Sequence, residues 1–373
     1  METINKKYKV TAQVLTPLSI GQGSEKDWVY GVDYLTQPDP KNSDRLLLYH
    51  LDLGKMHAVG VDINRISNFW ATGDTGSVER LIGNKLNAIC DFILPLPTGI
   101  GKQGLKNPIK TFLRNDLTNH PVLAGSSLKG ALRSVLFSNL RTKEQKDNKS
   151  VFGDMKDGSD LMRFIRVGDF EFEETRLVNT KIYNLHKEGG EWLGGWKHDR
   201  NYTSSQFEQS GFNTIYECLP PRATSEGYIM FADKLFDKVD QRGNVSGKKS
   251  VLSDIRKLCR IVNDHSFDYI DKELDFFEEY GGQYEGNLYE KLCEIQEAIN
   301  ACDNSNSCIL KMSAGSGFHS ITGDWQYTNY RESVMRLDRK RGGSLPKSRK
   351  IAVSGTSLFL PMGFIKLTFT ETK

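Results

Sequence analysis

Residues 121–137 read P-V-L-A-G-S-S-L-K-G-A-L-R-S-V-L-F, and this stretch dictates a local order of strand end, turn and helix. Val122 and Leu123 suit the end of an extended segment, and Gly125 frees the backbone to turn. A serine oxygen can accept from an orphan amide of the first helical turn, so Ser126 and Ser127 are predicted caps. Leu128, Leu132, Val135 and Leu136 then recur at helical spacing. Lys129 and Arg133 lie four apart and share a face. Free amides, the positive end of a helix dipole and two nearby cations suit a phosphate. The same residues also describe a capped helix with a solvated outer face, and the local pattern leaves both readings open.

The 373 residues allow two domains, or one domain with insertions. A hydrophobic fraction of 38% and a charged fraction of 26% are those of an ordinary globular protein. No apolar run reaches the roughly 18 residues of a membrane span. The start, M-E-T-I-N-K-K-Y, lacks an apolar signal core, so a cytoplasmic location is expected. The cysteines at 90, 218, 259, 293, 302 and 308 form no C-x-x-C pair, and no histidines follow at zinc spacing. Free thiols, no metal and no cofactor are the expectation.

Net charge is only +3, but its distribution is uneven. Residues 96–149 carry ten Lys/Arg against three Asp/Glu, and residues 306–373 carry eleven against four. Residues 264–303 carry two against twelve. Two basic regions around an acidic one predict a polarised surface.

Hydrophobic periodicity predicts an α+β chain. Tyr8, Val10, Ala12 and Val14 alternate as a first strand, and Leu46–Leu51 reads as a further strand. Helical pieces are predicted near 64–70 and 78–86, and residues 94–107 read as an exposed loop. Further strands are expected at 164–170, 178–185, 213–218 and 227–231, with a glycine- and serine-rich loop over 186–211. Residues 250–303 show three successive helical stripes, with Gly281-Gly282 separating the second from the third. Strands return at the C-terminus, around a basic run R-L-D-R-K-R-G-G-S-L-P-K-S-R-K-I at 336–351.

The run G-S-S-L-K-G-A-L-R resembles the signature of the RAMP proteins, the RNA-binding subunits of CRISPR effector complexes. Ala124 stands where that family usually has proline. L-T-P-L-S-I-G-Q-G at 15–23 resembles the family's first loop, with Ser19 where histidine is common. I-K-T-F-L-R-N before the signature, F-I-R-V-G-D-F at 164–170 and P-M-G-F-I-K-L near the end follow in the family's order. Within the family, the glycine loop near 315, the basic run and the final motif most resemble the type III-A (Csm) subunit that caps the guide-RNA 3′ end.

The resemblance implies a ferredoxin-like, RRM-like core with glycine-rich loops and an inserted helical segment. It divides the chain into an RRM-like domain over 1–245, an acidic helical segment over 250–303, and C-terminal strands over 304–373 that complete the fold. RNA would then lie along Gly125, Ser126, Ser127, Gly315, Gly317, His319 and Gly363, where backbone amides can approach phosphates. Lys129, Arg133, Arg339, Arg341, Lys347, Arg349 and Lys350 would neutralise the RNA backbone. Phe318, Trp325 and Phe364 are candidates to stack on bases, with core packing favoured for Phe364. The implied role is a non-catalytic subunit that binds the 3′ part of the guide RNA (crRNA) and meets other Csm subunits, above all the backbone-forming one, and possibly target RNA. The alternative is a RAMP endoribonuclease that processes repeat RNA or cuts target RNA, for which Asp27, Asp33 and His319 are the candidate acids and bases. A scaffold whose basic faces meet acidic partners is a third reading.

Overall fold

The computed structural model describes residues 5–105, 107–145, 147–199, 202–209, 212–239, 248–281, 286–312 and 348–372. Strand β1 (Lys6–Val14) alternates as predicted, with Tyr8, Val10, Ala12 and Val14 buried and Lys7, Thr11 and Gln13 exposed. Strands β2 (Tyr34–Asp39) and β3 (Asn42–Leu51) lead into the short helices α1 (Leu53–Ala58), α2 (Ile63–Thr72), α3 (Thr75–Ile82) and α4 (Leu86–Ile89). With β4 (Cys90–Pro95) the first two form a separate antiparallel sheet in the order β2-β3-β4. The helices pack on it through Met56, Ile66, Val78, Ile82, Leu86 and Ile89.

Strand β5 (Val122–Leu123) enters helix α5 (Gly125–Leu140), followed by α6 (Asn148–Phe152), β6 (Ile165–Val167), β7 (Phe170–Glu171), β8 (Arg176–Glu188), β9 (Glu191–Lys197), β10 (Thr203–Ser204), β11 (Thr214–Cys218) and β12 (Thr224–Phe231). The remainder is α7 (Asp233–Val239), α8 (Ser250–Ser253), α9 (Ile255–Tyr280), α10 (Gly286–Asn300), β13 (Ser307–Lys311), β14 (Ser348–Ser354), β15 (Leu358–Pro361) and β16 (Phe364–Thr372). The central sheet has the order β13-β16-β1-β12-β6, antiparallel throughout. Reading β1-α5-β6 and β12-α9-β16 as its two halves gives the ferredoxin-like βαββαβ arrangement, with β13 added at one edge. Strands from both ends of the chain thus sit side by side: Val10 faces Gly227 on one flank and Phe369 on the other.

One face of this sheet is covered by α5 and α9. Leu128, Leu132, Val135 and Leu136 of α5 and Leu258, Cys259 and Val262 of α9 join Val10, Ile229 and Leu367 in one core. The first two of the three predicted helical stripes are joined in α9, because no glycine or proline interrupts Ile255–Tyr280. At about 1.5 Å per residue this helix is long enough to serve two cores. Its later residues Ile270, Leu274, Phe276 and Phe277 pack with Tyr183, Trp196, Ile351 and Phe359 over a second sheet. That sheet runs β10-β9-β8-β14-β15, with β11 also paired to β8.

The loop expected over 186–211 is in part a hairpin. Strand β8 continues to Glu188, turns at Gly189 and Gly190 (φ 59° and 95°), and returns as β9. Two adjacent residues at positive φ make glycine the natural choice for this turn. The buried Tyr183, Leu185 and Trp196 are what make the two arms worth pairing.

Candidate nucleic-acid interface

The signature stretch forms the first core helix, but its N-terminus is built differently from the serine cap expected. The N-cap is Ala124, which makes no side-chain capping bond, and Ser126 and Ser127 lie within the first turn. The capping acceptor comes from elsewhere in the chain: Asp169 Oδ1 accepts the Gly125 N–H at 2.7 Å. A carboxylate is a stronger acceptor than a hydroxyl and complements the helix dipole, so it displaces the local serines. Gly125 is required here for a steric reason. A Cβ on it would lie 2.3 Å from the Val167 carbonyl oxygen and 2.6 Å from that of Gly168. The glycine lets α5 start directly against the end of β6.

With the Gly125 N–H taken by Asp169, the exposed residue of this first turn is Ser126, and Ser127 is half-buried. Lys129 and Arg133 follow on the same helix. Lys129 is half-buried, and burial lowers its pKa; Asp160 pulls it back up, while Arg133 and Arg166 lower it further. Asp160, Arg133 and Arg166 are thus all within electrostatic reach of Lys129. Arg133 reaches Asp160 at 4.0 Å and lies over the Phe152 ring at 5.4 Å. Arg166, exposed on β6, was not singled out from the sequence, because only the pairing of β6 beside α5 brings it to Lys129. Asp169 was also missed, although it belongs to the F-I-R-V-G-D-F run.

The described C-terminal candidates are engaged inside the protein. Arg349 pairs with Glu273 of α9 through Nη2 and Oε1 at 3.0 Å, and its guanidinium carbon lies 3.4 Å from the Phe276 ring centroid. With only 10% of its side chain exposed, its charge is committed to the second core. Lys350 donates to the Tyr216 hydroxyl and lies over that ring at 4.4 Å. Burial, helped by the charge of Lys110, lowers its pKa to about 8. Gly363 (φ 84°) donates its N–H to the Pro17 carbonyl at 2.8 Å and accepts from Met312 N–H at 2.7 Å, joining both ends of the chain. Phe364 is fully buried in the second core. Gly315, Gly317, Phe318, His319, Trp325, Arg339, Arg341 and Lys347 lie outside the described residues.

The acidic candidates of the first loop are also engaged. Asp27 is paired to Lys110 and only 8% of its side chain is exposed. Asp33 Oδ2 accepts the Val29 N–H at 2.7 Å. Next to the glycine-rich loop, Gln22 donates to Thr111 Oγ1 and to the Phe112 carbonyl, both at 3.0 Å, tying residues 20–23 to the segment before the signature.

The family model of the RAMP superfamily matches residues 11–251, and the chain belongs to that superfamily. The fold is similar to that of a chain in the cryo-EM structure of a Csm–crRNA–target RNA ternary complex of a type III-A CRISPR-Cas system. There the TM-score is 0.64 at 16% identity, over 97% of this chain and 100% of that one. It is similar also to the crystal structure of T. onnurineus Csm5, with a TM-score of 0.56 at 16% identity, over 95% of this chain and 99% of that one. No curated protein matches in sequence.

Proposed function

We propose that this protein is a non-catalytic RNA-binding subunit of a type III-A effector complex, gripping the 3′ part of the guide RNA and capping the filament of backbone subunits. The observation that carries the reading is that Arg133 and Arg166 lie within electrostatic reach of Lys129 near the start of α5, where Ser126 is exposed. Membership of the RAMP superfamily and the whole-length likeness to a Csm-complex chain and to Csm5 support it. Cations beside a helix start bind the phosphate backbone rather than base edges, so the grip is largely independent of sequence. The internal engagement of Asp27 and Asp33 favours binding over cleavage by either residue.

The test is filter binding of a single-stranded RNA across a salt series. Replacing Lys129 and Arg133 together by Ala should weaken binding to all sequences alike and flatten the log–log salt slope by about 1–2. An unchanged slope in a folded double mutant counts against this assignment. RNA cut by the pure protein would transfer the reading to an endoribonuclease.

A further inference from the structure

The central sheet is covered on one face by α5 and α9, but on the other only in part. On that second face Ile309 of β13 and Phe364 of β16 are buried in the second core. Further across it, Lys7 of β1, Tyr228 of β12 and Arg166 of β6 are exposed, while their strand neighbours Tyr8, Ile229 and Ile165 point into the first core. Strand pairing sets these residues in register. Lys7 lies opposite Met230, and Met230 opposite Arg166. Lys7 and Arg166 therefore flank β12 on its two sides, about 10 Å apart at two strand spacings. Tyr228 is two residues from Met230 on the same side of the sheet, and it is 45% exposed. The Lys7 ammonium lies 4.0 Å from its ring centroid. Lys9 is neutralised by Glu226 at 2.7 Å, whereas Lys7 and Arg166 have no carboxylate partner among the described residues.

We propose that this open part of the sheet is a second contact for single-stranded RNA, with one base stacked on Tyr228 and the phosphates on either side of it held by Lys7 and Arg166. The inference rests on the RNA-binding reading above and extends it to a new surface. Two features favour a nucleic acid over an acidic protein surface as the occupant. An exposed flat ring between two cations matches the alternation of base and phosphate along a single strand. Arg166 is also within electrostatic reach of Lys129, so one strand can run from the start of α5 over β6 onto the sheet without leaving positive charge. A lysine resting on an exposed ring is held weakly, so a base can take its place and free the ammonium for a phosphate. Stacking needs only a π-face, so Tyr228 adds affinity without selecting a sequence.

The test is filter binding of the full chain to a single-stranded RNA across a salt series. Tyr228→Leu keeps an apolar side chain but removes the flat ring. It should lower affinity about five- to a hundredfold, the range of one lost stack, and leave the salt slope unchanged because no charge is removed. Tyr228→Phe, which keeps the ring, should lose far less. Lys7→Ala should flatten the slope by about 0.7. Unchanged affinity in folded Tyr228→Leu and Lys7→Ala proteins overturns the sheet contact and returns the face to another occupant, such as an acidic protein surface. Tyr228→Phe as weak as Tyr228→Leu overturns the stack. In both cases the RNA-binding reading stands if the Lys129 and Arg133 double replacement still flattens the slope. A folded wild-type chain that binds no RNA overturns both.

Discussion

Arg349 and Glu273 form a two-pronged ion pair in the second core, with Nη2–Oε1 at 3.0 Å and Nε–Oε2 at 3.1 Å. Their side chains are only 10% and 6% exposed. The pair joins β14, which takes in the end of the basic run, to the acidic helix α9. Part of the charge asymmetry read from the sequence is therefore spent inside the fold.

Removing one member leaves the other charged and buried. Arg349→Ala or Glu273→Ala should each destabilise the chain by about 3–5 kcal/mol in urea unfolding. Replacing both by hydrophobic residues of similar volume should recover most of that loss. If the RNA salt slope of a folded double replacement equals that of the wild type, Arg349 is structural; a flatter slope would return it to the RNA interface.

Gly125→Ala tests the helix start. The added methyl meets the backbone oxygens of Val167 and Gly168, which cannot rotate away. Destabilisation of about 1–3 kcal/mol is expected from such overpacking, read as a lowered Tm. Unchanged stability would mean that α5 and β6 can separate at little cost.

Arg166→Ala should resemble the loss of Lys129 or Arg133. It should reduce RNA affinity at low salt and flatten the salt slope by about 0.7, the value for one phosphate contact on a single strand. Arg166 is exposed on β6, so its Tm should hardly change. A normal slope would remove Arg166 from the interface.

Lys311 sets a pH dependence. Its ammonium donates to the Met362 carbonyl and lies 5.0 Å from the Phe364 ring centroid. Burial lowers its pKa to about 7, with Glu273 opposing. An unfolded lysine titrates near about 10.4, so between these values the unfolded chain binds more protons than the folded one. The contribution of Lys311 therefore makes stability rise with pH from about 7 to about 10, and its full cost is present below that window. Lys181 and Lys350, each lowered to about 8 by burial, add the same sign. Lys311→Met should reduce the upward slope of unfolding free energy against pH; an identical slope would show that Lys311 does not titrate there.

Much of this protein was legible in its sequence because the signals are local. The alternation of β1, the leucine stripe of α5 and the shared face of Lys129 and Arg133 depend on residues a few positions apart, and backbone geometry converts that spacing directly into a face. The ordered family motifs likewise mark a RAMP chain in the sequence alone. Tertiary structure decided which charges remain available. Asp169, not a serine, holds the start of α5 from 44 residues away. Arg349 finds Glu273 across 76 residues. Arg166 reaches Lys129 only because β6 lies beside α5. A charge takes the partner that the fold brings nearest, and strand order, unlike periodicity, is set by contacts between distant parts of the chain.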